Sequence, residues 1–129
     1  MNNPGKLLRY SASAGSGKTH ALSGFYLSRV LHDPGSYRRI LAVTFTNSAA
    51  AEMKERILSR LNRLSSDDEK GEEARTEFVA YLCDHFPDLY PDPREARLTV
   101  RKNAPVALRN ILQDYSRFTV STIDACCQN

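Results

Sequence analysis

The stretch Leu7-Leu8-Arg9-Tyr10-Ser11-Ala12-Ser13-Ala14-Gly15-Ser16-Gly17-Lys18-Thr19 decides how the chain is read. Leu7 to Ser11 mixes apolar and aromatic residues and then enters a run of small ones, the pattern of a short strand feeding a turn. Past Lys18-Thr19, Leu22, Phe25, Tyr26 and Val30 recur at helical spacing until Asp33-Pro34-Gly35 ends the element. In this setting Ala12 to Thr19 matches a phosphate-binding loop, with Ala12 where Gly is commoner. Small side chains let successive backbone N–H groups curl around phosphates, and the helix start adds unpaired N–H groups and the positive end of its dipole. Ala12, Ser13, Ala14, Gly15, Ser16, Gly17, Lys18 and Thr19 are therefore expected to hold a nucleoside triphosphate. Lys18 would reach the β and γ phosphates, and the Thr19 hydroxyl would meet Mg²⁺. If Gly15 and Gly17 merely punctuated a turn, Lys18-Thr19 at that fixed register would have no explanation.

Outward from this loop, Ile40-Leu41-Ala42-Val43-Thr44-Phe45 is an unbroken run of strand-favouring residues, as expected when helices cover both faces of a parallel sheet. It is the candidate central strand. A helix is expected from about Ala49 to Leu64, with Met53, Ile57, Leu61 and Leu64 as its buried stripe. Ser65 to Gly71 carries no core-facing pattern and reads as a mobile solvent loop. Helical spacing returns from Glu72 to Phe86, Pro87, Pro91 and Pro93 then punctuate a connection, and a further helix uses Val106, Leu108, Ile111, Leu112 and Tyr115, with an interruption expected at Pro105. Phe118 to Ser121 reads as a last short strand. The expected fold is α/β: a partial RecA-like P-loop domain with a parallel sheet flanked by helices, spanning 1–129, with 65–117 a helical insertion or extension within it.

With 129 residues the chain is one domain or part of a larger one, and 41% hydrophobic with 26% charged residues can bury a modest core. A net charge of +3 is too small to demonstrate a polyanionic partner, so local placement must carry that argument. Three cysteines, two of them adjacent at Cys126-Cys127, form no disulfide framework, and a reduced cytoplasmic setting is expected. No apolar run is long enough to cross a bilayer, so no membrane association is expected. His20, His32, His85 and Cys83 lack metal-ligand spacing.

Thr44-Phe45-Thr46-Asn47 stands at the C-terminal end of the central strand, the edge of an α/β sheet where ligands bind. Hydroxyl and amide groups there suit phosphates, and Phe45 could stack on a base, although burial statistics alone would put it in the core. Three blocks now resemble, in order, the first motifs of UvrD/Rep-like superfamily 1 helicases: Ala12 to Thr19, Leu41-Ala-Val-Thr-Phe-Thr-Asn-Ser-Ala-Ala-Ala-Glu-Met-Lys-Glu-Arg-Ile57, and Val120-Ser-Thr-Ile-Asp124. The first block is especially similar to the AddA/RecB helicase-nuclease branch. The resemblance covers the beginning of the first motor domain. It implies Mg-ATP held by Gly15, Gly17, Lys18 and Thr19, and DNA contacts at Thr44, Phe45, Thr46 and Asn47 and again at Ser121 and Thr122. It also implies ATP-driven translocation on single-stranded DNA with duplex separation, a partner chain in a helicase-nuclease assembly, and in that branch a distant nuclease domain.

Two positions depart from the family pattern: Ser48 replaces the usual Lys, and Asp124 lies where many relatives carry His, which puts direct DNA contact by Asp124 in doubt. No apolar run ends in the Asp-Glu pair expected to hold the metal, so the isolated chain is expected to be inactive. Asp114 and Asp124 are the nearest substitutes. Were Asp124 the metal holder, a compact small-molecule kinase would be the alternative, but it leaves Thr44 to Ile57 unexplained. A non-hydrolysing nucleic-acid interaction module using Arg94, Arg97, Arg101, Lys102, Arg109 and Arg117 is the other, set against the plainer view that these residues solvate a helix.

Overall fold

The computed structural model describes residues 7–9 and 17–123, with side chains from His20 to Ile123. Strand β1 is Leu7–Arg9, helix α1 Gly17–His32, strand β2 Leu41–Thr44, helix α2 Asn47–Leu64, α3 Glu69–His85, α4 Pro93–Gln113, and strand β3 Val120–Thr122. Short 3₁₀ turns at Ser36–Arg39 and Tyr115–Arg117 lead into β2 and β3.

The strands form a parallel sheet in the order β1-β2-β3, so the apolar run is central, as its composition implies. Arg9 pairs with Val43 and Val43 with Ser121, which brings the C-terminal ends of all three strands to one edge. Parallel strands need long crossovers. The first uses α1, and the second uses α2, α3 and α4. Among the described residues no helix is long and apolar enough to cross a membrane.

Helix α2 has the expected stripe: Met53, Ile57, Leu61 and Leu64 are all fully buried, each contributing about 1.5–3 kcal/mol. It starts two residues earlier than expected because the Thr46 side chain accepts a hydrogen bond from Ala49 N–H at 3.0 Å and caps it.

The segment Ser65–Gly71, expected as a mobile loop, is instead a bonded cap. Asp68 accepts from Gly71 N–H at 2.9 Å and from the Ser66 hydroxyl at 2.7 Å, starting α3 at Glu69. Arg75, only 2% exposed, donates to the carbonyls of Leu64 (2.9 Å) and Ser66 (2.6 Å) and pairs with Glu72 at 3.1 Å. A hydrophilic sequence hid this because its partners are backbone carbonyls, which no side-chain pattern displays.

Helix α4 runs through Pro105 without interruption. Pro105 and Arg101, whose carbonyl it leaves without an in-helix donor, are both exposed positions. The buried face is the expected one only in part: Ile111 is buried as expected, together with Ala96, Val100, Ala104 and Ala107, while Leu112 and Tyr115 are exposed and Val106 and Leu108 are half-buried. Alanines let α4 approach its neighbours closely. Asn103 donates to Leu31 O at 2.7 Å, fastening α4 to the end of α1. Strand β3 begins two residues later than expected, because Phe118 turns into the core and meets Tyr26 edge to face at 5.6 Å.

Two outcomes follow. A Cβ on Gly71 would overlap the Ser66 carbonyl oxygen, so Gly71→Ala should cost about 1–3 kcal/mol in urea unfolding despite alanine's better helix propensity. Ser66 and Gly71 hold the Asp68 carboxyl, and Arg75 and Arg97 hold that of Glu72, below the usual carboxylate range. Their stabilisation is present above that range and is lost as pH falls through the depressed folded values. The urea midpoint should therefore hold steady from neutral pH down to the ordinary carboxylate range and decline below it, with Glu72→Gln removing part of the decline.

Candidate nucleotide and nucleic-acid site at the strand ends

Thr44 to Asn47, Ser121 and Thr122 and the start of α1 come together at one edge of the sheet. The segment 10–16 joins β1 to α1, so Ala12, Ser13, Ala14, Gly15 and Ser16 lie outside the described residues. Its two anchors do not. β1 ends at Arg9 beside β2, and α1 starts at Gly17, which puts the backbone of Gly17, Lys18 and Thr19 in a first helical turn. That turn contains no acidic residue, so nothing within it opposes an anion at the unpaired N–H groups. Unpaired N–H groups at such a helix start suit the oxygens of a phosphate.

At the end of β2, Thr44 is fully buried, and its hydroxyl lies 3.1 Å from Thr46 O and 3.3 Å from Ser121 O. Thr44 is thus a brace that joins the end of β2 to β3, and its side chain offers no contact surface. Phe45, one residue on, is 50% exposed, and the expectation from burial statistics that it lies in the core does not hold. Phe45 follows the last residue of β2, past the stretch Ala42 to Thr44 that is buried on both faces of the sheet. Thr46 and Asn47 are exposed. The Thr46 oxygen accepts from Ala49 N–H, which leaves its proton to donate. Helix α2 also lacks an acidic residue in its first turn, so its opening N–H groups can take a phosphate oxygen where Ser48 stands in place of Lys.

On β3, Thr122 is buried and pairs with Thr44, whereas Ser121 is half-buried with its hydroxyl 3.3 Å from Thr122 O. These residues are nearer the braced interior than the exposed rim. Asp124 lies outside the described residues. Asp114, the other candidate metal holder, is committed elsewhere: it accepts from Tyr37 OH at 2.8 Å and faces Arg38 at 3.4 Å and Arg117 at 3.9 Å. The basic residues of α4 are partly committed too. Arg97 pairs with Glu72, and Arg101 lies 3.9 Å from both Asp67 and Glu72. No group of three metal-ligating side chains occurs among the described residues.

The Thr44 clasp was not legible in the sequence, since a threonine at a strand end looks equally suited to either role. Thr44→Val should cost about 1 kcal/mol in urea unfolding by removing the single hydroxyl proton that the Thr46 and Ser121 carbonyls share. Phe45→Ala, at an exposed position, should change stability by no more than about 0.5 kcal/mol.

The chain matches the UvrD/REP helicase N-terminal domain over residues 2–129. It is 49% identical over 70 residues to the A subunit of the ATP-dependent helicase/nuclease of Carboxydothermus hydrogenoformans, covering 52% of this chain and 6% of that protein. Against the corresponding protein of Staphylococcus carnosus it is 45% identical over 58 residues, covering 45% and 5%. Against the probable DNA helicase II homolog of Mycoplasma capricolum it is 48% identical over 63 residues, covering 46% and 8%. The aligned part is thus a small fraction of each of these relatives. No solved structure matches the chain. With its small parallel sheet flanked by helices and these relatives, the chain belongs to the UvrD/REP helicase N-terminal domain family, related at modest identity to helicase/nuclease A subunits.

Proposed function

We propose that this chain forms the ATP-binding wall and the first part of the DNA path in the first motor domain of an ATP-dependent DNA helicase. The observation that carries the reading is the shared edge: α1 starts at Gly17 beyond the strand ends from which Phe45 projects into solvent. ATP with Mg²⁺ supplies a scissile phosphoanhydride and a metal that neutralises charge on its oxygens. Ala12 to Thr19 wrap the phosphates with backbone N–H groups, Lys18 neutralises the β and γ oxygens, and Thr19 gives its hydroxyl to the metal. Phe45 stacks on a base of the single strand, while Thr46, Asn47 and the opening turn of α2 orient a phosphate. Ser121 and Thr122 extend the path along β3, and Thr44 positions the rim by holding β2 to β3.

In this reading 65–117, chiefly α3 and α4, is a helical insertion in a RecA-like domain. Two motor domains close and open with each ATP, which moves the protein along single-stranded DNA and separates duplex ahead of it. The names of the relatives support a helicase role, and for the A subunits a nuclease assembly with a partner chain. Such a machine acts on DNA in the cytoplasm. Completing the site takes a metal-holding acid and a second wall, so the isolated chain turns over no ATP.

The test uses the full-length protein. Single-stranded DNA should stimulate ATP hydrolysis, and Lys18→Ala should lower turnover about 100-fold or more. Phe45→Ala should keep Mg-ATP binding and weaken oligothymidylate binding by about 1–3 kcal/mol. ATP turnover indifferent both to DNA and to Lys18→Ala would overturn the reading.

A further inference from the structure

α1 and α2 line a polar cavity of about 250 Å³. His20 and Ser23 of α1 line it on one side, and Arg56, Ser59, Arg60 and Arg63 of α2 on the other. The arginines stand at i, i+4 and i+7, so they share one face of α2, which flanks the Met53, Ile57, Leu61 stripe. Phosphate recognition draws on this combination of guanidinium forks and hydroxyls.

The charge balance of the cavity is incomplete. Glu52 takes the Arg56 guanidinium at 3.0 Å, and Glu77 is the carboxylate that acts on Arg60. Arg56 Nε is nonetheless buried with no hydrogen-bond partner among the described residues. Arg60 lies over the Phe78 ring at 5.4 Å, and neither it nor Arg63 has an ion pair among those residues. Elsewhere Arg38, Arg39, Arg75, Arg97, Arg101 and Arg117 each have a carboxylate within 4 Å. Burial, with Arg63 and Arg56 close by, lowers the Arg60 pKa, the direction expected of cations held together with too little counter-charge.

We propose that the cavity between α1 and α2 is a phosphate-binding site in which Arg56, Arg60 and Arg63 donate to the oxygens of a phosphodiester backbone or of a free oligophosphate. A volume of about 250 Å³ accommodates phosphate groups and their near neighbours. Arg60 and Arg63 supply the charge, and the Arg56 guanidinium stands at the wall with Ser23 and Ser59. The Ser23 hydroxyl, which donates to His20 O at 2.8 Å, keeps its oxygen lone pairs as acceptors, so Ser59 is the better placed donor.

The test compares Arg60→Gln/Arg63→Gln with the parent, both in the full chain carrying Lys18→Ala so that the phosphate loop does not contribute. Arg94→Gln/Arg109→Gln, on exposed positions of α4, is the charge-matched control. Tripolyphosphate is titrated by calorimetry, and a labelled oligothymidylate by anisotropy across a salt series. For a backbone phosphate, the double variant should bind the oligonucleotide about 10-fold more weakly, with a salt slope shallower by about 1.4, as expected for two lost contacts. For a free oligophosphate, tripolyphosphate affinity should fall about 10-fold while oligonucleotide affinity stays put. Either result supports the site provided the α4 control retains the parent's affinity.

Both ligands binding the cavity variant as tightly as the parent, or the α4 control losing as much as the cavity variant, would overturn it. Arg63→Gln alone, at an exposed position in the last turn of α2, gives the same readout with about half the slope change should the double variant not fold. Because Lys18 is already replaced, these outcomes are separate from success or failure of the nucleotide reading.

Discussion

The parallel pairing of β2 with β1 on one side and β3 on the other is the constraint on which the rest of the molecule depends. Parallel strands in register must all end on the same side, and helices that follow them must begin there. One geometric fact therefore brings the start of α1, the exposed Phe45 and the tip of β3 to a single edge. Thr44 reinforces it with a hydroxyl within 3.3 Å of a β3 carbonyl, a bond between segments 77 residues apart. A residue at the tip of the central strand is thus used for cohesion, and its neighbour is left exposed to solvent.

The helical crossover between β2 and β3 is anchored by polar groups acting on backbone. Arg75 satisfies two carbonyls where α2 ends, Asp68 starts α3, Tyr90 donates to Ser28 O at 2.5 Å, and Asn103 holds α4 against α1. Bonds of this kind fix direction as well as proximity, because a buried carbonyl left without a donor is costly. They hold α3 and α4 against α1 and α2, whose first turns face the site. The arginine-lined cavity lies between those same two helices, so anion binding there and the strand-end site share the α1–α2 packing.

Much of this was readable from residues in order. The strand at Leu7–Arg9 and the helix that starts at Gly17 are legible because apolar runs and helical spacing are relations among near neighbours. Ile40 to Phe45 reads as a central strand because only a strand covered on both faces is apolar throughout, and the α2 stripe is a plain 3.6-residue period. The failures share a cause. Gly71, Arg75 and the Ser65–Asp68 cap look hydrophilic, but their environment comes from carbonyls at the end of another helix. On α4 both the alanine face and the larger apolar face satisfy helical spacing, and the choice of which was buried lay with the partners across the interface.

The sequence by itself determined the kind of the main elements and their order, because these are local relations among residues a few positions apart. Only the tertiary structure decided that Thr44 braces while Phe45 is exposed, that Asp114 is occupied by Tyr37, and that Arg56, Arg60 and Arg63 face α1 across a cavity. Each of these depends on a partner distant in the chain, and burial or pairing at a distance has no signature until the chain has closed on itself.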